Sequence, residues 1–348
     1  MALLNKIYRI NNNKSLLDRN QSTWLKGVLI LLIVLGHNAI LMGNLPGMET
    51  RPIYHFLYCF HVQSFFFITS LYNWPIITKE YVKKIFSRLY KPYTALFLVV
   101  FIANLLITRG QTLSWGGVIV SYISGSDLLI KKSIGMSFLW FLPTMFSFLL
   151  ILGSSRNESP KYLRILLWLL SFGILALSAC GLLRYGYSKW SIAGSYVALR
   201  AFALCFLNRA IFEQLGRNRA YQYVVYGTSV LAVILFFTIY GQNYIVDSLL
   251  KFILVPSSMF QLLAVLVYQK KNYNSVILYL GRHSLQIYLF HQLFFNVILV
   301  GLQKMDIQLN MVIGVIVYIG TLIVTVLFDM LFKKMTPIIY DFLYSIKR

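Results

Sequence analysis

The chain has 348 residues, of which 58% are hydrophobic, 16% aromatic and only 12% charged, with a mean hydropathy of +0.69. Soluble domains carry roughly 25% charged residues, so an ordinary soluble fold is excluded. Lysine and arginine total 32 against 10 acids, a formal charge of +22; in a soluble protein that would point to nucleic acid, but here its distribution along the chain gives it another origin.

A helix of roughly 20 apolar residues crosses a hydrocarbon layer of about 30 Å. Runs of that kind occur at 24–42, 53–73, 92–107, 137–153, 163–182, 190–208, 221–241, 245–268, 275–301 and 310–332. The expected fold is therefore all-α: a polytopic integral membrane helical bundle of about ten transmembrane helices, forming a single membrane-embedded domain over 1–348. With the N-terminus in the cytoplasm, most cations fall on that side, in 6–26, 79–91, 156–164, 209–219, 270–271 and 333–348. The opposite loops hold a minority, among them Arg51, Lys131, Lys132 and Lys304. This positive-inside bias places both termini in the cytoplasm and removes nucleic acid as a partner. The N-terminal segment reads as uncleaved, because Gly36, His37 and Asn38 are followed by more chain of the same kind.

The first span carries Lys26 and, eleven residues on, His37. Eleven residues rise about 16 Å and complete three turns and some 20°, so the two side chains share a face, with the cation near the cytoplasmic end and the imidazole near mid-membrane. The second span, YHFLYCFHVQSFFFITSLYN, brings His61 in from the opposite side to a depth of roughly 12 Å, with Ser64 at i+3 on the same face. The segment TKEYVKKIFSRLYKPY interleaves Lys79, Lys83, Lys84, Arg88 and Lys91 with Tyr81, Ile85 and Leu89. Apolar residues at i, i+4 and i+8 make it an amphipathic cationic helix on the cytoplasmic surface. Its cations suit anionic lipid or a multiply phosphorylated ligand.

Residues 113–124 are too short to span and read as a re-entrant or interfacial piece of the long outer loop. Trp115 and Tyr122 there offer aromatic surface. Arg200, Lys251 and Asp329 lie within or at the edge of spans, and Pro256 is the one evident helix breaker. In the ninth span His291 lies roughly 15 Å from the outer surface, three residues after Tyr288. Ionisable groups at depth are costly and mark function. Three imidazoles, His37, His61 and His291, reach similar depth from three helices, whereas His55 and His283 lie near span ends and suit ordinary interhelical bonding. No metal is expected, since a metal would want carboxylates or cysteines nearby and Asp329 is the only deep acid. Cys59, Cys180 and Cys205 form no CxxC pair and read as small core residues.

The blocks WLKGVLILLIVLGHN (24–38), FHVQSFFFITS (60–70), RLYKPY (88–93), LWFLPTMF (139–146) and LQIYLFHQLF (285–294) resemble the spaced motifs of acyltransferase family 3, the integral-membrane O-acyltransferases, and most closely its fucose 4-O-acetylase-like branch. The resemblance implies transfer of an acyl group, acetyl by family habit, from cytoplasmic acyl-CoA to a hydroxyl of a cell-envelope or exported polysaccharide, in a bacterial cytoplasmic membrane. The family's basic residue followed eleven positions later by histidine falls on Lys26 and His37. Lysine stands where arginine is commoner, which keeps the charge and loses the fork geometry. The phenylalanine-histidine block falls on Phe60 and His61, and its usual serine-glycine ending is Ser70-Leu71 here.

A sugar hydroxyl is a poor nucleophile, and a positioned base speeds its attack on a thioester by roughly 10²–10⁴-fold. On this reading His37 is the base, with His61 and Lys26 beside it in the catalytic set. His61 and Ser64 supply oxyanion donors. Lys83, Lys84 and Arg88 hold the phosphates of CoA, while Tyr288, His291, Ser64 and Arg200 meet the acceptor. Direct transfer and a covalent acyl-histidine relay both remain open, as does the oligomeric state. The competing classes are a transporter or flippase for a lipid-linked sugar, which predicts internal repeats or paired broken helices, and a non-catalytic polysaccharide-assembly subunit.

Overall fold

In a computed structural model, the protein is described over residues 14–43, 45, 49–108, 114–135, 138–183 and 191–344. The expected cations Lys6, Arg9, Arg109, Arg184, Lys189, Lys347 and Arg348 lie outside those residues. All regular structure among the described residues is helical. Seven helices are long and apolar enough to cross a membrane by length and composition: Lys79–Leu106, Lys161–Ala179, Ser195–Leu215, Arg219–Ile239, Tyr244–Gln269, Ser284–Lys304 and Met311–Met335. The chain is a multi-pass helical membrane protein.

The first, second and fourth expected spans are not among these seven, and the ninth begins with a separate short helix before its long one. The first is α1 (Arg19–Gly36) followed by the single turn α2 (Ala39–Met42), with His37 and Asn38 at the break. The second is α3 (Pro52–Phe60) and α4 (Gln63–Ser70), broken at His61 and Val62. The fourth is a 3-10 turn over Phe138–Trp140 leading into α8 (Phe141–Ser154). The ninth is α14 (Ser275–Arg282) and α15 (Ser284–Lys304), which meet at His283. Pro256, expected as the one evident breaker, lies within the long helix Tyr244–Gln269, where a π turn over Leu250–Leu254 joins α12 (Tyr244–Leu249) to α13 (Val255–Gln269) immediately before it.

A second difference concerns the cationic segment. It is the first part of one 30-residue helix, α5 (Lys79–Thr108), which runs on through Pro92. The expected face is present: Ile85 and Leu89 are buried and Tyr81 is half-buried, while Lys83, Lys84 and Arg88 are exposed.

The chain divides into two compact units. One, the histidine unit, comprises residues 15–71 and 208–335. It contains α1 to α4, α11 (Arg219–Ile239), α12 to α15 and α16 (Met311–Met335). A capping box starts α1: the Asp18 carboxylate accepts from Gln21 N and the Gln21 side chain accepts from Asp18 N. α1 then lies directly against α14. A Cβ on Gly281 would overlap the Thr23 carbonyl oxygen, and one on Gly27 the Ile277 carbonyl oxygen, the close backbone approach that membrane helices achieve with small residues. α16 is ordered the way lipid requires, with Gly314, Val317, Thr321, Thr325 and Asp329 buried and Val312, Ile316, Ile319, Ile323 and Leu327 turned outward. One end of this unit is cationic: Lys270 lies over the Trp24 ring at 4.6 Å, and Trp24 is 6.4 Å from Tyr273.

The other unit contains residues 72–207 and 336–344, with α5, α6 (Trp115–Ser124), α7 (Asp127–Ile134), α8, α9 (Lys161–Ala179), the first part of α10 (Ser195–Leu215) and α17 (Pro337–Tyr344). α6 runs antiparallel to α5, with Trp115 5.5 Å from Phe101 and Tyr122 stacked on Tyr93 at 5.1 Å. α7 returns beside it, Ser133 Oγ donating to Ser121 Oγ at 2.7 Å. The apex is paired to the start of α10: Ala193 N donates to Ile123 O and Gly194 N to Ser124 O. Irregular backbone within a membrane needs such internal partners.

Two changes probe these packings. Gly281→Val is expected to lower the thermal midpoint of the detergent-solubilised protein by several degrees, whereas Gly320→Val, whose Cβ meets nothing within 4 Å, leaves it unchanged. Asn38 is buried, accepts from Leu41 N at 3.0 Å and donates to Gly314 O at 2.8 Å. Asn38→Ala is therefore expected to cost about 1–3 kcal/mol, read as an earlier denaturation midpoint.

Candidate active site

The break after Gly36 decides where the first histidine stands. His37 caps α1, its N–H donating to Ile33 O at 3.0 Å, and Asn38 pins the following turn to α16. The His37 ring thus projects from a fixed corner rather than from the side of a continuous helix. His37 Nδ1 lies 2.7 Å from His291 Nε2.

Hydrogen-bond chemistry fixes the protons. His291 Nδ1 faces two main-chain carbonyls of its own helix, Ile287 O at 3.0 Å and Tyr288 O at 2.8 Å. Carbonyl oxygens only accept, so Nδ1 carries the hydrogen and the neutral ring has its lone pair on Nε2. That lone pair accepts the Nδ1–H of His37. The remaining nitrogen of His37, Nε2, is left with an unprotonated lone pair. A carbonyl, an imidazole and a second imidazole in series orient a base as the carboxylate orients histidine in a catalytic triad.

His61 follows the same rule. Its Nδ1–H donates to Leu57 O, and its Nε2 is buried without a hydrogen-bond partner. Its ring centroid is 6.4 Å from that of His37 and 4.7 Å from that of Tyr58. The oxyanion-donor role expected of His61 meets a physical obstacle, because the neutral ring has no hydrogen left and presents an acceptor. Ser64 is similarly engaged: its hydroxyl donates to Phe60 O at 2.8 Å, filling a carbonyl that the break in the helix leaves open.

The other expected residues are distributed as follows. Tyr288 is buried, its carbonyl serving His291 and its ring 6.0 Å from that imidazole. Lys26 is half-buried on α1. Lys83, Lys84 and Arg88 stand exposed on α5, and Arg200 is buried with its guanidinium 5.8 Å from the Tyr196 ring; these four belong to the other unit. Tyr122, expected on an outer aromatic surface, is instead stacked on Tyr93 with its hydroxyl 2.6 Å from Thr94 Oγ1, while Trp115 is exposed. His283 donates from Nδ1 to Asp329 Oδ2 at 2.8 Å, with Tyr279 stacked on it; it is a paired structural group, as its place at a span end suggested.

Two neighbours escaped the reading of the sequence. Tyr58 lies 5.9 Å from His37 and 4.3 Å from Tyr54. Tyr54, Tyr58 and His61 follow i, i+4, i+7 spacing, which places them on one helical face. That signal was present in YHFLYCFH.

No curated protein and no solved structure matches the chain. A family profile described as an acyltransferase domain, that of acyltransferase family 3, matches residues 19–330, a stretch that holds every histidine of the cluster and runs through both units. The chain belongs to acyltransferase family 3 and is a multi-pass membrane acyltransferase.

Proposed function

We propose that the protein moves an acetyl group from cytoplasmic acetyl-CoA to a hydroxyl of a cell-envelope or exported glycan, with His37 Nε2 as the general base, in a bacterial cytoplasmic membrane whose inner face meets the cationic end of the histidine unit. The observation that carries this reading is the 2.7 Å contact between His37 Nδ1 and His291 Nε2, together with the main-chain carbonyls that hold His291 in one tautomer. In the step proposed, His37 Nε2 removes the hydroxyl proton as the oxygen attacks the thioester carbon. The tetrahedral intermediate collapses with cleavage of the carbon–sulfur bond, and the proton passes from His37 to the departing thiolate. His291 is a positioning residue, because it acts through His37.

Lys83, Lys84 and Arg88 form an exposed cationic face suited to the phosphates of CoA. Lys26, on the same helix as His37, adds positive charge within the histidine unit. Arg200 is assigned to the acceptor side of the reaction. Membership of an acyltransferase family disfavours the transporter and assembly-subunit readings, despite the broken helices that a transporter also uses.

Membranes containing the chain, given labelled acetyl-CoA, are expected to pass label to a glycan, and membranes lacking it are not. His37→Ala should abolish transfer with insertion and expression intact; transfer at the wild-type rate would remove the proposed base. His291→Phe should lower kcat by about 10²-fold with the KM for acetyl-CoA unchanged, and His291→Gln, which keeps an acceptor for His37, should recover part of the loss. Arg88→Ala should raise the KM for acetyl-CoA, and an unchanged donor titration would return that face to lipid binding.

A further inference from the structure

Near His37 the histidine unit keeps a second acceptor that the transfer step does not use. His61 is 0% exposed, its one N–H goes to Leu57 O, and Nε2 has no partner. Leaving a buried acceptor unsatisfied is costly, on the scale of a lost hydrogen bond. Its neighbours include the ring of Tyr58, edge-on at 4.7 Å between centroids, and α1 at Gly36, where an added Cβ would lie 3.5 Å from Nε2 and 3.6 Å from the Tyr58 ring.

The approach to that nitrogen is aromatic. Tyr54 and Tyr58 are half-buried, with ring centroids 4.3 Å apart, and lead along one face of α3 from its N-terminal end to His61 and His37. Tyrosine offers an apolar face and a polar tip, which matches a pyranose with its C–H face and its rim of hydroxyls. At the inner end of that face stand two imidazoles whose centroids are 6.4 Å apart, both with Nδ1–H committed and both presenting Nε2 as an acceptor. Two neighbouring acceptors of that kind are complementary to two neighbouring donors.

Resting on the transfer reading above, we propose that the acceptor is a sugar ring bearing adjacent hydroxyls. Its face lies against Tyr58, its reacting hydroxyl donates to His37 Nε2, and the neighbouring hydroxyl donates to His61 Nε2. His61 is thus a specificity residue. The product carries its acetyl group on a ring carbon next to a carbon with a free hydroxyl.

The test uses the full chain in membranes, labelled acetyl-CoA and the native membrane glycan fraction as acceptor. His61→Leu removes the acceptor atom. Gly36→Ala places a methyl group over it at ordinary contact distance and so keeps the protein folded even where the histidine variant fails. Each is expected to raise the acceptor KM about tenfold or more with the KM for acetyl-CoA within twofold of wild type. His61→Gln, whose Oε1 can take the place of Nε2, should recover part of the loss. In the wild-type product, the acetylated position is mapped by NMR and should have a hydroxyl on the adjacent carbon. Acceptor KM values within twofold of wild type in both variants overturn the subsite while leaving the transfer function standing, as does acetyl on a position without such a neighbour. Wild-type membranes that pass no label to any glycan overturn the transfer function, and the subsite with it.

Discussion

Everything at the candidate site depends on one constraint: within hydrocarbon, a polar group must find its partner inside the protein. A continuous helix satisfies its own carbonyls, while a broken one releases those of its last turn. At the break after Phe60, Ser64 fills Phe60 O, while the ring of His61 donates to Leu57 O, a carbonyl that also accepts the His61 main-chain N–H. His291 does the same to Ile287 O and Tyr288 O, although its helix is unbroken there. Each imidazole that gives Nδ1–H to the main chain is left with a lone pair on Nε2, so backbone satisfaction sets the chemical state of the ring. The lone pair on His37 Nε2 is set by the fold, without a buried carboxylate beside it and the desolvation cost of one.

The sequence made much of this legible. Hydropathy and charge asymmetry led to a multi-pass helical membrane protein, and depth counted at 1.5 Å per residue brought His37, His61 and His291 to one level. His37 and His291 are in contact and His61 is nearby. The amphipathic face of Tyr81, Ile85 and Leu89 was equally readable, because i, i+4 spacing does not depend on tertiary context. What escaped was the continuity of α5 across Pro92, the breaks in the first, second and ninth apolar runs, and the roles of individual nitrogens. A polar residue at mid-span reads the same in a continuous helix and in a broken one; only the donors that reach its neighbours' carbonyls decide. The donor role expected of His61 and Ser64 failed to foresee those carbonyls, for the same reason.

Tyr54 and Tyr58 illustrate a different blind spot. Aromatic residues are abundant throughout this chain, at 16%, and most serve packing, as Phe67 does on Phe260 at 4.8 Å. Composition therefore gives an aromatic residue no distinction. Position on a helical face relative to an ionisable group does, and Tyr54, Tyr58 and His61 share such a face. In a membrane protein, where apolar residues are the background, the informative pattern is the periodicity of aromatic residues with a polar tip.

Glycine completes the physical account, because the same property serves two ends in α1. At Gly27 the missing side chain lets α14 approach to backbone contact, which fixes the orientation of α1 and hence of His37 at its end. At Gly36 the missing side chain has no clash to avoid, since a Cβ there would sit at ordinary distance from its neighbours. Gly36 is the last residue of α1, and nothing in its surroundings excludes the methyl group of an alanine. The open edge of His61 Nε2 is what an alanine would cover. A position where alanine fits and glycine is present points to a use for the space itself, and the space at Gly36 lies against His61 Nε2, a buried nitrogen without a hydrogen-bond partner.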